Sequence, residues 1–292
     1  MRMNSSPLVI TSLSNARIKD AVRLRQRSHR DELGLMLVEG YRELKRALDN
    51  GYAPSTIFIC PELYMGTHED ALIERARAVD AEIIVCARNV FEKMSARDRP
   101  DGLLAIGPQC RKTLSDLTLR DNALVIVAES IEKPGNLGTI LRSAAAAGVD
   151  AVIVCDRCTD VNNPNVVRAS IGTLFAVSLA EATTDETISF LRQRNFAILA
   201  ATPHADTLYT ATPLTGPVAI VVGSEQYGLS EAWFAAATHR VRIPMLGQCD
   251  SLNVASATTI LLFEATRQRI AQNPTLVPAP HEHEQGASES EE

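Results

Sequence analysis

The sequence has no apolar run near the roughly 18 residues needed to cross a bilayer. Its opening MRMNSSPLVITSL lacks the long apolar stretch of a secretory signal. A cytoplasmic protein without membrane contact is the default expectation. Cysteine is sparse: Cys60, Cys86, Cys110, Cys155, Cys158 and Cys249 are scattered along the chain, which fits reduced thiols better than a disulfide framework. Cys155 and Cys158 form a lone CxxC without a second pair or suitably spaced histidines. Zinc therefore lacks a ligand set, no metal is expected, and structural thiols are favoured over redox chemistry. No GxGxxG follows a strand, and GxxxxGK[ST] and HExxH are both missing. GxSxG fails because Gly223-Ser224-Glu225 breaks its spacing. These absences remove Rossmann-cofactor, P-loop, kinase, zincin and serine-hydrolase chemistry.

What is present describes an ordinary globular chain. It is 46% hydrophobic and 22% charged over 292 residues, enough for a normal core without disulfides and, by size, for about two domains. The net charge of −6 argues at first against a nucleic-acid partner, but its distribution matters more than its sum. Arg2, Arg17, Lys19, Arg23, Arg25, Arg27 and Arg30 face a single early acid, Asp20, whereas Glu282, Glu284, Glu289, Glu291 and Glu292 crowd a tail without Lys or Arg. Charge alone leaves two readings of the basic head open, a solvated helix face and a phosphate-contacting surface.

Periodicity divides the chain. In residues 1–108, Ile18, Ala21, Val22 and Leu24 predict a helix over 14–27, capped by Ser14 or Asn15. Leu44, Ala47 and Leu48 predict another over 39–50, closed by Gly51. Strands are expected at 56–60, 81–85 and 102–106, with helices at 71–79 and 91–94. Residues 109–122 are poor in apolar groups and read as a linker. Over 123–272, continuous apolar runs at 123–128, 151–155, 196–201 and 218–223 predict parallel strands buried on both faces, with helices at 137–147, 184–194 and 252–270. The expected fold class is α/β, a small N-terminal α/β domain followed by a parallel-sheet domain. Residues 273–292, with Pro274, Pro278, Pro280 and the acidic run, are expected to be a disordered tail.

Three glycine- and polar-rich segments follow strands of the second domain, where open α/β sheets bind ligands. In ESIEKPGNLGTILR (129–142), Pro134, Gly135 and Gly138 permit a tight turn, Asn136 can cap the next helix, and Arg142 can hold a phosphate bidentately. In VGSEQYGLS (222–230), Glu225 lies between Gly223 and Gly228 and could orient a ligand or cap a helix starting at Leu229. In IPMLGQCDSLNVA (243–255), Ile243, Pro244, Met245 and Leu246 lead to Ser251, Leu252 and Asn253, with Asp250 or Ser251 as a possible cap of the last helix.

In order, spacing and residue type these segments resemble the three signature motifs of the SpoU (TrmH-type) RNA 2′-O-ribose methyltransferases, within the knotted methyltransferase class. NPNVVRASIGTLFAVSL (163–179), with Arg168, Ser170, Gly172 and Phe175, resembles that family's middle segment, and residues 12–107 resemble its small RNA-binding module more weakly. The resemblance implies a deep trefoil knot in the second domain, a homodimer formed through that domain, and RNA, most often ribosomal, as substrate. It implies S-adenosylmethionine at Gly223, Ser224, Glu225, Ile243, Met245, Leu246, Ser251 and Leu252, and catalytic roles for Asn136, Arg142, Glu225, Ser251 and Asn253. It turns the basic head into an expected phosphate-contacting surface, with Arg17, Lys19, Arg23, Arg25 and Arg168 as candidates. Ser224 and Tyr227 depart from the commonest family text, where Asn and Gly are frequent, and leave the target nucleotide open.

The implied reaction is an in-line displacement by a ribose 2′-oxygen on the sulfonium methyl. A guanidinium is a poor proton acceptor, so Arg142 is expected to bind the target phosphate and stabilise developing alkoxide charge. A transfer-RNA ribose methyltransferase, a base methyltransferase of a related knotted class, and a non-catalytic ribosome-assembly protein are the competing readings. Cofactor titration and nuclease mapping of the product separate them.

Overall fold

The continuous apolar runs become the centre of a seven-stranded parallel sheet. A computed structural model describes residues 8–277. The chain builds two sheets in succession. The first unit comprises β1 (Leu8–Ile10), α1 (Ala16–Arg23), α2 (Arg27–Leu33), β2 (Leu35–Glu39), α3 (Tyr41–Asp49), β3 (Thr56–Ile59), α4 (Glu69–Ala78), β4 (Glu82–Cys86), α5 (Arg88–Met94) and β5 (Leu103–Pro108). Its strand order is β1-β4-β3-β5-β2, with β5 antiparallel to both neighbours.

The second unit comprises β6 (Leu124–Glu129), α6 (Pro134–Ala146), β7 (Ala151–Cys155), α7 (Pro164–Ala169), β8 (Leu179–Ala182), α8 (Thr184–Gln193), β9 (Ala197–Ala201), β10 (Thr207–Leu208), β11 (Val218–Val222), α9 (Glu231–Ala236), β12 (His239–Arg242) and α10 (Val254–Gln272). The order is β10-β12-β9-β11-β6-β7-β8, all parallel. Every residue of β6, β7 and β11 is buried, which is why these strands read as unbroken apolar runs. The carboxyl ends of β6 and β11 lie side by side, and the loops that follow them meet there.

The expected helix over 14–27 is two helices. Asn15 caps α1 through its side chain, α1 ends at Arg23 with Leu24 as its C-cap, and α2 begins at Arg27. Arg30 makes the break possible by donating to the Leu24 and Arg25 carbonyls at 2.9 and 2.8 Å. The helix expected over 39–50 starts at Tyr41, because Glu39 pairs with Leu104 in the antiparallel β2–β5 ladder. The strands β1, β2, β8, β10 and β12, and the short α7, were not expected; β1, β2, β8 and β10 lie at sheet edges, and β10 and β12 carry one apolar residue each. The expected linker at 109–122 is packed: Leu117 is buried, Leu114 and Leu119 lie on the core, and the Lys112 carbonyl accepts the Glu181 amide.

One apolar core runs through both units, joining Met36, Val38, Leu44 and Leu103 to Leu137, Val166 and Leu174. A polar and an aromatic contact fix the same seam: Arg46 donates to the Ile171 carbonyl, and the Tyr52 and Phe175 rings lie 4.7 Å apart. After α10, Asn273 caps a 3-10 turn at Pro274–Leu276, so the first residues assigned to the tail are structured. Arg2 of the basic head and Pro278, Pro280, Glu282, Glu284, Glu289, Glu291 and Glu292 of the tail lie outside the described residues. Among the described residues no helix is long and apolar enough to cross a membrane.

Candidate active site

Each of the three segments singled out by composition supplies polar side chains to a single point. After β6 the chain turns through Ser130, held at φ +52, and enters α6 with Pro134 at its start. Lys133, not Asn136, occupies the position before that helix, without a side-chain cap. Asn136 therefore lies inside the first turn, and its amide reaches across to the second segment. After β11, Gly223 leads into a tight loop closed by paired backbone bonds between Ser224 and Gly228, at 3.1 and 3.0 Å. Gly228 sits at φ +69, which favours glycine. After β12, residues 243–253 return to α10, whose cap is Asn253 rather than Asp250 or Ser251: its Oδ1 accepts from the Ala255 amide at 3.0 Å.

Glu225 is the meeting point. Its Oε1 accepts from Asn136 Nδ2 at 2.8 Å and Asn253 Nδ2 at 2.7 Å. Its Oε2 pairs with the Lys133 ammonium, and Asn253 Nδ2 also donates to Asn136 Oδ1 at 3.1 Å. The Lys133 hydrogen bond and then that of Asn136 hold the Glu225 carboxyl below the ordinary carboxylate range. Its partners leave Glu225 no role as a helix cap. Ser230 stands before α9, which begins at Glu231 rather than Leu229, and the Ser230 amide donates to buried Glu129 at 2.8 Å.

Beside this carboxylate lies a cavity of about 570 Å³. Gly223, Ser224, Glu225, Ile243, Met245, Ser251 and Leu252 all line it, as does Asn253. Leu246 does not; it is 97% exposed. Pro203, His204 and Phe234 also line the cavity and were not expected. The signal for the first two was available, since they follow the apolar run of β9 at the carboxyl end of a parallel strand. Glu129 and Lys133 lay within the quoted first segment but were not singled out.

Other expected residues lie elsewhere. Arg142 is exposed on α6 and has no side-chain hydrogen bond or ion pair among the described residues. Six residues beyond Asn136, it lies about 240° round and about 9 Å along the helix, so one chain does not bring it to Glu225. Arg168 is exposed on α7, which packs on α6 where a Cβ at Gly138 would stand 2.4 Å from Ala169 Cβ. Within the basic head, Arg17 pairs with Glu82 at 2.6 Å and Arg27 with Asp31 at 3.5 Å. Arg25 is committed to the carbonyls of Lys93, Met94 and Ser95 at the end of α5, and Arg30 is buried. Lys19 and Arg23 stay exposed, Arg23 4.0 Å from Asp20. Cys155 is buried against Thr187, which leaves its thiol pushed up to about 12 by burial, and no cluster of metal-ligating side chains occurs among the described residues.

The chain is similar to known proteins over both units. A model of the SpoU rRNA Methylase family matches residues 123–263, and one of the MRM3-like substrate binding domain matches residues 15–105. A 23S rRNA (uridine(2479)-2′-O)-methyltransferase of Streptomyces viridochromogenes is 30% identical over 264 residues, covering 87% of this chain and 90% of that protein. A crystal structure of an RNA 2′-O ribose methyltransferase superposes with a TM-score of 0.80 at 41% identity, over 90% of this chain and 100% of that one. An AdoMet-bound rRNA methyltransferase from Sinorhizobium meliloti superposes with a TM-score of 0.82 at 32% identity, over 89% and 97%.

Proposed function

The chain belongs to the SpoU rRNA methylase family, and on that footing we propose that it transfers a methyl group from S-adenosylmethionine to a ribose 2′-hydroxyl of ribosomal RNA. The observation that carries the reading is the convergence of Asn136, Glu225 and Asn253, from three separate segments, beside one cavity. The cavity fits the cofactor. Its volume is within the range of small-molecule sites, Ile243, Met245 and Leu252 give it apolar walls, and Gly223 keeps one edge free of a side chain.

When bound, S-adenosylmethionine supplies an electrophilic methyl on a sulfonium. The protein's part is placement and electrostatics. Counting donors shows which group is free for a ligand. Both Asn253 Nδ2 hydrogens are used, toward Glu225 and Asn136. Asn136 spends one on Glu225 and keeps the other, so Asn136 is the amide proposed to hold the ribose. Glu225 fixes both amides and stays ionised, and Ser251 faces the cavity to orient the ligand. Lys133, 67% exposed, offers an ammonium to a phosphate.

Arg142 retains its proposed role of binding the target phosphate and stabilising alkoxide charge. Because it lies on another face of α6, that role calls for RNA or a second copy of the chain to complete the site. A homodimer through the side of the second unit formed by α6 and α10 is proposed accordingly; Phe263 of α10 is 47% exposed. The trefoil knot is proposed from the path of the chain, which returns after β12 to pack α10 against α6 and β11. The first unit is the proposed RNA holder, with exposed Lys19 and Arg23 as its candidate cations and Arg168, on α7 of the second unit, as a third. Incubation with labelled S-adenosylmethionine and ribosomal RNA should place the label in alkali-resistant dinucleotides. Label confined to transfer RNA would shift the substrate, and label on bases would reject the ribose reading.

A further inference from the structure

Arg30 and Asp160 form an ion pair between the two units, 130 residues apart in sequence. Their side chains are 1% and 3% exposed. Arg30 Nε donates to Asp160 Oδ2 at 3.1 Å, Nη2 donates to the same oxygen, and Nη1 holds the Leu24 and Arg25 carbonyls. With its fork occupied, Arg30 has nothing to offer a phosphate. Nor is stability a sufficient reason for the pair, since desolvating two charges offsets most of their attraction and apolar residues would serve as well. What a buried fork adds is one fixed orientation.

That orientation is passed to the site. Asp160 sits in the loop after β7, where its Oδ1 accepts the Asn162 amide at 3.0 Å. Asn162 in turn accepts the Cys110 amide at 2.8 Å. The neighbouring Thr159 donates its amide to the Ile131 carbonyl at 3.2 Å and its hydroxyl to the Glu132 carbonyl. Ile131 and Glu132 lead directly into Lys133 and α6. We infer that Arg30 is a positioning residue for methyl transfer: through Asp160 it fixes the loop that braces residues 131–133, and so sets Lys133 and Asn136 against Glu225. The inference rests on the methyltransferase reading. None of residues 131–136 lines the cavity, so cofactor binding should be spared.

The test uses Arg30→Gln, Asp160→Asn, their combination, Arg30→Lys, and Phe58→Leu as a control that loosens the first unit's core without removing a hydrogen-bond partner of Arg30 or Asp160. Turnover is measured at saturating cofactor and RNA, well below each variant's Tm, with cofactor Kd from calorimetry. The two single neutral variants should each lose at least about tenfold in kcat with Kd within about threefold. The double variant should be no worse than the poorer single, Arg30→Lys should recover part of the loss, and the control should keep kcat. Unchanged kcat, an effect on the RNA KM alone, or an equal loss in the control would overturn the inference. Nuclear magnetic resonance titration of Glu225 gives a readout without turnover: its pKa should rise toward the ordinary value in Arg30→Lys and Arg30→Gln. An inactive wild type would defeat the methyltransferase reading, and the titration would still decide the positioning.

Discussion

Replacing Gly223 by alanine should break the site by wedging its second loop open. A Cβ there would stand 2.1 Å from the Gly228 carbonyl oxygen, 2.3 Å from its carbon and 2.6 Å from the Leu229 nitrogen. All three are backbone atoms, so no flexible side chain can yield. Reaching even 3.0 Å requires a displacement of about 0.9 Å. That movement breaks the paired Ser224–Gly228 bonds, each worth about 1 kcal/mol net, so about 2 kcal/mol in all. Glu225 lies within the moving loop and would leave Asn136 and Asn253. Misplacement by about 1 Å costs about a hundredfold in catalysis, or about 2.7 kcal/mol. Calorimetric titration with S-adenosylmethionine should show at least about tenfold weaker binding, and tritium transfer should fall about a hundredfold. The Tm should drop by roughly 4–8 °C. Gly228→Ala is the comparison: it meets no atom within 4 Å but must hold φ +69, so it should lose about 1–2 kcal/mol of stability by strain alone and far less affinity. A Gly223→Ala protein with cofactor Kd within twofold of wild type would refute the wedge argument.

Arg142→Ala should cut turnover by orders of magnitude while calorimetry shows cofactor Kd unchanged; near-normal methyl transfer would remove Arg142 from the mechanism. Asn253→Ala removes a helix cap worth about 1 kcal/mol and both amide donors, so Tm should fall a few degrees and kcat by roughly ten- to a hundredfold; a lower Tm with intact kcat would make Asn253 a cap only. The Glu225 node should be stable between two limits. The carboxyl, depressed from 4.5, contributes its pairing above that value and loses it as pH falls through the lower folded one. Lys133, raised above 10.5 by Glu225, contributes below that value and loses it as pH rises through the higher folded one. Turnover should therefore be flat from about pH 5 to about pH 10 where these two groups govern it; a step near neutrality would assign the site another titrating group.

The central strands were legible because burial on both faces leaves a run such as LVIVA or VAIVV no polar residue to place. The site was legible as three loops because the first two follow apolar strands and each of the three opens a helix. Which atoms meet was not. Asn136 looked like a cap, and only the three-dimensional return of residues 243–253 brings Asn253 to it. Asn253 itself, not its neighbours Asp250 and Ser251, holds the helix end. Counting arginines in the basic head overstated the free charge, since Arg25 and Arg30 are bound to carbonyls and to Asp160. Short strands such as β12, with the single apolar residue Val241, lack the length for a periodic signal. Leu246 shared the apolar character of Met245 but points into solvent, a difference no pattern of residue types encodes.

The most direct test is mass-spectrometric mapping of 2′-O-methylation in the RNA of cells with the protein, without it, and with its Glu225→Gln form. The proposed chemistry requires one ribosomal ribose methyl that disappears without the protein and is strongly reduced by the substitution. Identical ribose methylation in all three, or a change confined to base methyls, would contradict it.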